Sequence, residues 1–443
     1  MGETDGQLEC DLLVLGSGMA GLTAAGRAAE RGKRVIVIEK AGEIGGSAAL
    51  SGGYLWTTPS VRQSALWDDG DPALRAAVVE TFPVLTEWLR CRGVHMEPHQ
   101  PVLFGRGYRI DILGHLRHCA AEVEKAGGHV VRKTRVRELR VADGRIVGAI
   151  ADHIDGAVEI EAKRVLLATG GYQGSPALRA QHIGPHARDM ALRSNPDSVG
   201  DGLRLAIAAG AAHAGPNPGF YGHLVASPAR LMKPADFVTF TQYHSDHGVL
   251  LNRAGFRFVD ESRADHESTQ ATLRQPGARA LLVWDERIQR EVALAPPVAG
   301  AAPLDKFAVA VQAGASGAVL PDIGSIAGFA SSLGFDGDAC VSALRDYNAR
   351  MRNAPETASP NRERHVRPLT DAPFRALLVE PTITFAYGGI AIDARTRALD
   401  ARGAPLPGLF VAGADAGNVY RGGYCGGLAL AGTLGLRVGD ESC

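Results

Sequence analysis

The sequence predicts an α/β protein, a parallel sheet covered by helices and interrupted by an inserted second domain of α+β character. Three observations carry this. Near the start, the apolar run LVLG enters a glycine-rich turn, a helix-like segment and a second apolar run, VIVI. That β–α–β order calls for parallel strands. Near the end, from about residue 373, ITFAYGGIAID, LPGLFVAGADAGN and GYCGGLALAGTLG resume the same alternation. Between 222 and 353 the alternation weakens and His, Pro and aromatic residues increase. With 443 residues, the chain exceeds what one hydrophobic core usually serves. The expected organisation is residues 1–221 and 354–443 as one domain and 222–353 as the insertion. The polar stretch NAPETASPNRERHV (354–367) reads as a return linker.

The first turn, GSGMAG, is a G-x-G-x-x-G motif in its strand–turn–helix–strand setting. Gly16 permits the tight turn, Gly18 lets a pyrophosphate approach the backbone, and Gly21 lets the helix pack closely on the strand. The helix N-terminus points free N–H groups and its positive dipole end at the phosphates. Glu39 ends the second strand, where an acidic side chain can bind a ribose hydroxyl pair. The motif predicts a Rossmann-type domain with a bound dinucleotide. Next comes AGEIGGSAALSGGYLW, whose Gly, Ser and Ala pack poorly as helix or strand but can lie against a planar ligand. Helices are expected over 72–92 and 111–127, with strands around the turn ADGR. VEIEAKRVLLATGG reads as a further pair of strands, and SNPDSVGDGLRLAIAAGA as a turn followed by a helix.

Lys and Arg total 47 against 48 Asp and Glu, which argues against nucleic acid as a partner. The polar, acidic N-terminus lacks a basic start and apolar run, and no apolar stretch approaches membrane-spanning length. A cytoplasmic protein without membrane association is expected. The six cysteines have no C-x-x-C spacing, as expected of reduced thiols. Without C-x-x-C-H there is no covalent haem, so electrons must leave by another route.

The ordered anchors GSGMAG with Glu39, GGSAALSGG, ATGG (168–171), GDG (200–202), LLNRAGFRFVDE (250–261), YGGIAID (387–393) and GLFVAGADAGN with GGLAL resemble the FAD-dependent fumarate reductase and succinate dehydrogenase flavoprotein superfamily. Within it the chain looks most like the 3-ketosteroid dehydrogenase and tricarballylate dehydrogenase branch. The resemblance spans nearly the whole length. It implies that the inserted domain caps the flavin, and that a hydride moves between a C–C bond beside an electron-withdrawing group and flavin N5.

For the cofactor, the resemblance implies that Gly16, Gly18, Met19, Ala20, Gly21, Glu39 and Lys40 hold the ADP half. Gly46, Ser47, Ala48, Ser51, Gly52 and Gly53 would line the ribityl chain and ring. Val136 lies where relatives offer backbone contacts to adenine; a plain core valine is the alternative. Ala168, Thr169 and Gly170 end a strand near the pyrophosphate. Asp201 resembles a flavin contact, and Asp415, behind Gly413, an acid at the ribityl or pyrophosphate region; each can also be a helix N-cap. Gly426, Gly427 and Leu428 open the last helix, whose N–H groups can stabilise charge on reduced flavin. No His precedes GGSAALSGG, so the FAD is expected to be non-covalent.

For the chemistry, an acidified C–H needs fixed donors on the adjacent carbonyl oxygen and a base over the other carbon. Tyr424 with the Gly427 N–H matches a carbonyl-holding pair in ketosteroid dehydrogenases; packing on the flavin is the alternative. Arg421 suits a substrate carboxylate or a surface loop. Tyr387 matches a position lining the site in relatives. Fumarate reductases carry a His in that stretch and an Arg before the terminal Gly-Gly, both absent here, which argues against fumarate as substrate. Glu261 and Arg263 resemble a proton pathway, with a surface ion pair as the alternative. Tyr243, His244 and His247 form a polar cluster in TQYHSDHG, with no further ligand set to suggest a metal. The expected function is α,β-dehydrogenation of a small molecule beside a carbonyl or carboxylate, with an unidentified electron acceptor. The reverse C=C reduction, a non-redox isomerase or hydratase, and a monooxygenase are the alternatives.

Overall fold

The computed structural model describes residues 8–102, 105–216, 218–232, 237–263, 265–296 and 303–441. The chain divides into two compact units. The first comprises the residues up to Gly184, Ser194–Phe220 and those from Phe385 on; the second comprises Pro185–Arg193 and Tyr221–Thr384. Among the described residues, no helix is long and apolar enough to cross a membrane.

The first unit is built on an eight-stranded sheet. Its centre is parallel: Pro405–Val411, Gly156–Leu167, Leu8–Leu15, Val35–Ile38 and His129–Val131 lie side by side. Leu12–Leu15 and Val35–Ile38 are wholly buried, the unbroken apolar pattern of strands covered on both faces. The meander Arg135–Ala142 and Arg145–His153 pairs with the first half of Gly156–Leu167, on the edge away from Leu8–Leu15, and Arg397–Leu399 pairs with Pro405–Val411. VEIEAKRVLLATGG, expected as two strands, is the end of the single strand Gly156–Leu167. The expected helices appear as Pro72–Cys91 and Ile112–Lys125, each N-capped by an aspartate, Asp71 and Asp111.

The second unit is organised around Phe374–Ile383. This strand pairs with Ala191–Leu192, Leu224–Ala226, Ala280–Trp284 and Gly317–Leu320, and Val249–Leu251 lies beyond Ala280–Trp284. Its core includes Val249–Leu251, Ala280–Trp284, Phe307 and Leu377. The chain therefore re-enters the first unit at Phe385, not near 354. The physical reason is that the apolar run at 374–383 is the central strand of the second sheet. The stretch 354–367 is held within the second unit.

Candidate active site

The glycines of the first turn separate into two kinds. Gly16 has φ +106°, and a Cβ there would sit 2.2 Å from the Ala168 carbonyl oxygen. A Cβ on Gly21 would sit 1.9 Å from the Gly16 oxygen. Both are glycine because the protein leaves no room. At Gly18 the nearest protein atom to such a Cβ is 3.8 Å away, and the backbone is an ordinary extended N-cap with φ −76°. Protein packing therefore does not require glycine at 18, whereas a phosphate pressed on the backbone does. Gly18 caps Met19–Glu30 with no side-chain hydrogen bond, leaving the first-turn amides to an anion. These residues fit an FAD pyrophosphate.

Glu39 is buried. Its Oε2 accepts from the Ser17 N–H (3.0 Å) and hydroxyl (2.6 Å), and its Oε1 accepts from the Ala41 N–H (2.8 Å). The carboxylate thus ties the phosphate turn to the second strand while retaining an acceptor lone pair for a ribose hydroxyl. Lys40 is paired with Asp201 at 2.7 Å and also bonds the Asp197 carbonyl. The other Asp201 oxygen takes Arg135 at 2.6 Å. These two cations hold the Asp201 carboxyl below its usual range against the opposing effect of burial. Asp201 is the first residue of Asp201–Ala208 and not its cap, which is Gly200 at φ +88°. Both of its oxygens serve the fold, clamping the 201 turn to Lys40 and Arg135.

Asp415 is likewise spent internally. Its oxygens accept from the Thr169 N–H, the Thr169 hydroxyl (3.0 Å) and the Gly171 N–H (3.0 Å). It fastens the ATGG turn, with Gly170 at φ +96°, to the short helix Gly413–Asp415. Asp415 is a positioning residue and not a helix N-cap. The run at 46–53 also departs from expectation. Gly45, at φ +115°, starts a one-turn helix, Gly46–Ala49. Ser47 Oγ accepts from the Asn195 N–H (3.3 Å), and the Ser51 hydroxyl donates to the Ala48 carbonyl (2.7 Å). Gly53 has φ +74°, and Gly52 abuts the Tyr54 ring. Val136 is a buried strand residue paired with Ala151.

At the head of Gly427–Glu441 the Gly427 N–H donates to Tyr424 Oη at 2.9 Å. The two expected parallel donors are thus a series. The amide N–H polarises the phenol oxygen. Tyr424 stands in an aromatic wall with Trp56 (5.5 Å between centroids), Phe385 (6.0 Å) and Tyr420 (6.1 Å), and Tyr420 in turn meets Tyr387. The sequence reading missed Trp56, Phe385 and Tyr420. It also missed Asp68, whose buried Oδ1 accepts from the N–H groups of Arg421 (2.7 Å), Gly422 (3.1 Å) and Gly423 (2.9 Å). Asp68 fixes the loop carrying Tyr424. The Arg421 side chain is exposed, the surface-loop alternative. Leu428 is half-buried, and Gly426 has φ +102°. Burial pushes the Cys425 thiol up to about 12, so it stays protonated.

In the second unit the short turn Tyr243–Asp246 sends its side chains to different places. His244 packs edge-on against Trp284 in the core, where burial drives its pKa down to about 3. Tyr243 joins a separate polar cluster. There His223 Nε2 bonds the Tyr221 hydroxyl at 2.9 Å, and its Nδ1 meets the Asp265 carboxylate. Burial pushes Asp265 up to about 6. Lys306 lies over the Tyr243 ring at 4.1 Å, and burial, reinforced by Arg193, pushes it down to about 8. Arg193 lies over Phe237 at 4.1 Å, with its Nε and Nη1 buried and without a hydrogen-bond partner among the described residues. A Tyr–His–Asp chain beside two cations can move a proton and hold an anion. Only Tyr243 of this group is singled out by the sequence.

Glu261 is wholly buried, not a surface pair. Its oxygens accept from Arg257 (2.6 and 3.1 Å), Arg362 (3.0 Å) and the Leu250 N–H (3.0 Å). Arg263 turns elsewhere, to Glu267 (2.8 Å) and Glu363 (3.2 Å). The two therefore do not form one relay.

A parallel-sheet domain with a phosphate turn, a positioned phenol and a polar insertion defines an FAD-dependent oxidoreductase of the fumarate reductase and succinate dehydrogenase flavoprotein superfamily. More particularly, the chain belongs to the FAD binding domain family, whose profile matches residues 11–100 and 111–429. It is similar to the fumarate reductase (cytochrome) of Shewanella frigidimarina, 26% identical over 98% of this chain and 76% of the relative. It is also similar to the 4-oxocyclohexanecarboxylate 2-dehydrogenase of Sinomonas cyclohexanicum, 26% identical over 96% of this chain and 90% of that one. Among solved structures, the 3-ketosteroid-Δ4-(5α)-dehydrogenase of Rhodococcus jostii RHA1 shares the fold, with a TM-score of 0.74 and 22% identity over 99% of this chain and 98% of the other.

Proposed function

We propose that this enzyme oxidises or reduces a carbon–carbon bond next to an oxo group in a small molecule that also carries an anionic group, with FAD held non-covalently. FAD, when bound, supplies the two-electron acceptor or donor for that bond. Tyr424 holds the oxo oxygen through its phenol proton. Because Gly427 already donates to the phenol oxygen, charge developing on the substrate oxygen is shared along a preset hydrogen-bond series. Within the second unit, the Tyr221–His223–Asp265 chain is built to take or return a proton. Beside it, Arg193 and Lys306 are the cations suited to an anionic group.

The carrying observation is the Arg193 guanidinium, whose Nε and Nη1 are buried without partners among the described residues. Such donors cost free energy unless a ligand satisfies them, and the planar fork matches a carboxylate. The Sinomonas relative, named for a substrate with both an oxo group and a carboxylate, supports this reading.

The test is anaerobic absorbance of the flavin band against a panel of oxo acids, their esters, neutral ketones and simple carboxylic acids. Bleaching by an oxo acid but not by its methyl ester supports the proposal. Equal bleaching by acid and ester removes the anion-binding role. Reoxidation of the dithionite-reduced enzyme by an unsaturated oxo acid, with no bleaching by any saturated one, fixes the direction as reduction.

A further inference from the structure

We propose that Asp246, His247 and His365 form a binding site for one divalent transition-metal ion of the zinc class, placed to staple the 360–370 stretch to the 243–247 turn of the second unit. The sequence offers Asp246 and His247 as neighbours, but His365 joins them only in the fold. The imidazole rings of His247 and His365 stack with centroids 3.6 Å apart and planes 24° from parallel. Each faces a different oxygen of one carboxylate: His365 Nε2 lies 3.5 Å from Asp246 Oδ2, and His247 Nε2 lies 3.9 Å from Oδ1. One ligand atom from each of the three residues falls within 4.8 Å of the others. A tetrahedral ion with bonds of about 2.0–2.2 Å holds its ligand atoms roughly 3.3–3.5 Å apart, so modest side-chain rotation closes the set. Two imidazoles and one carboxylate suit zinc, nickel, copper or ferrous iron rather than magnesium or calcium.

A second observation shows that the site is built. Arg362, with its side chain wholly buried, donates from Nη2 to the Asp246 carbonyl (2.8 Å) and from Nε to the His365 carbonyl (3.1 Å). It is anchored in turn on Glu261 at 3.0 Å. One buried arginine therefore grips the backbone of both ligand-bearing segments. His365 itself sits in the left-handed region, at φ +52°, which turns its ring back over His247. His247 and His365 line a cavity of about 330 Å³ with Arg287, Glu291 and Arg367, leaving an approach for the ion and room for a water on it. Arg287 lies 3.8 Å from Glu291 and 4.0 Å from Asp285, so acidic partners offset its charge.

The experiment strips the flavin-loaded enzyme with chelator and titrates it with Zn²⁺ against a chromogenic competitor. Co²⁺ absorption serves as a geometric readout, and melting temperature is followed with and without Zn²⁺. The variants are His247→Ala and His365→Asn, the second chosen because Asn tolerates a positive φ. Retained flavin absorbance and an unchanged metal-free melting temperature show that each variant is folded. The expected result is one saturable equivalent per chain that raises the melting temperature. Both variants weaken that equivalent by about tenfold or more and abolish the rise. The His182 and His213 rings, stacked 4.4 Å apart in the first unit, provide the control. A His182→Ala/His213→Ala variant keeps the equivalent. No saturable equivalent, or one unaffected by both His247→Ala and His365→Asn, overturns the site.

Discussion

Replacing Glu261 by Gln separates a structural charge from a proton-relay residue, and the geometry sets the magnitude. Glu261 has no solvent exposure. Its Oε2 takes Arg257 Nη2 at 2.6 Å and Arg362 Nη1 at 3.0 Å, while Oε1 takes Arg257 Nε at 3.1 Å and the Leu250 N–H at 3.0 Å. Gln keeps the shape but removes the charge, and it puts an NH₂ where two donors already converge. Two buried guanidiniums then share no anion. Breaking a buried pair in this way costs about 3–5 kcal/mol. For a unit of this size each kcal/mol moves the melting temperature by about 2–4 °C, so a fall of roughly 6–20 °C is expected. The assay is thermal unfolding followed by Trp fluorescence, paired with turnover at a temperature where the variant is fully folded. The expected turnover is within about threefold of wild type, because none of the four bonds involves a group of the Tyr221–His223–Asp265 cluster. A melting temperature within 2 °C of wild type together with a turnover loss above about 100-fold would refute this and make Glu261 a proton carrier.

Three further outcomes test other parts of the molecule. Tyr424→Phe leaves FAD content unchanged and slows substrate bleaching of the flavin by about 10²–10³-fold; an unaltered rate in stopped flow would remove the phenol from the mechanism. Gly18→Ala yields folded protein with weakened FAD retention, whereas Gly21→Ala, with a Cβ 1.9 Å from a backbone oxygen, yields little folded protein. Gel filtration with flavin absorbance distinguishes the two, and equal behaviour would contradict the packing argument. Lys306, pushed down to about 8, loses its charge as pH rises through 8, so KM for an acidic substrate climbs there. Below its folded value both folded and unfolded chains hold the proton. Between that value and the unfolded one, about 10.4, the unfolded chain binds more protons and stability rises with pH. Lys306→Met should flatten both profiles, and a persistent limb near pH 8 would assign it to another group.

What the sequence made legible was local. GSGMAG carries its meaning in adjacent residues, and Asp71 and Asp111 announce their helices within one turn. The run at 374–383 was not singled out in sequence and was assigned with the rest of 354–443 to the first domain, because an apolar strand buried on both sides reads the same in either sheet. The Tyr243–Asp246 turn shows the same limit at finer scale. Three polar residues in one short stretch look like one cluster, but a 3₁₀ turn, with about three residues per turn, splays Tyr243, His244 and His247 into three environments. His223, Asp265, Lys306 and Arg193 lie far apart in the chain, and nothing around any one of them marks it. The nearest hint was the DH pair at 265–266, in a segment too polar for the buried helix it forms.

The carboxylates teach a more general point about reading such a site. Glu39, Asp68, Asp201, Asp415 and Glu261 are all buried, and three of them stood out in sequence as ligands for a cofactor. In the fold, the bonds of each recorded above go to backbone amides, a hydroxyl, a lysine or arginines of the protein itself. A protein rich in glycine turns needs such anchors, because glycine adds backbone entropy that must be offset when the turn is fixed. Asp415 on the 169–171 amides and Asp68 on the 421–423 amides are the same device used twice. Residue type alone therefore overstates the acids. The bonding left over after folding is the better guide, and it points to cations: Arg193, with two buried nitrogens unpaired among the described residues, and Lys306, resting on an aromatic face. A site that leaves positive charge unspent asks for an anion, which is why the substrate is read here as an acid. The ester comparison is accordingly the decisive experiment on this enzyme.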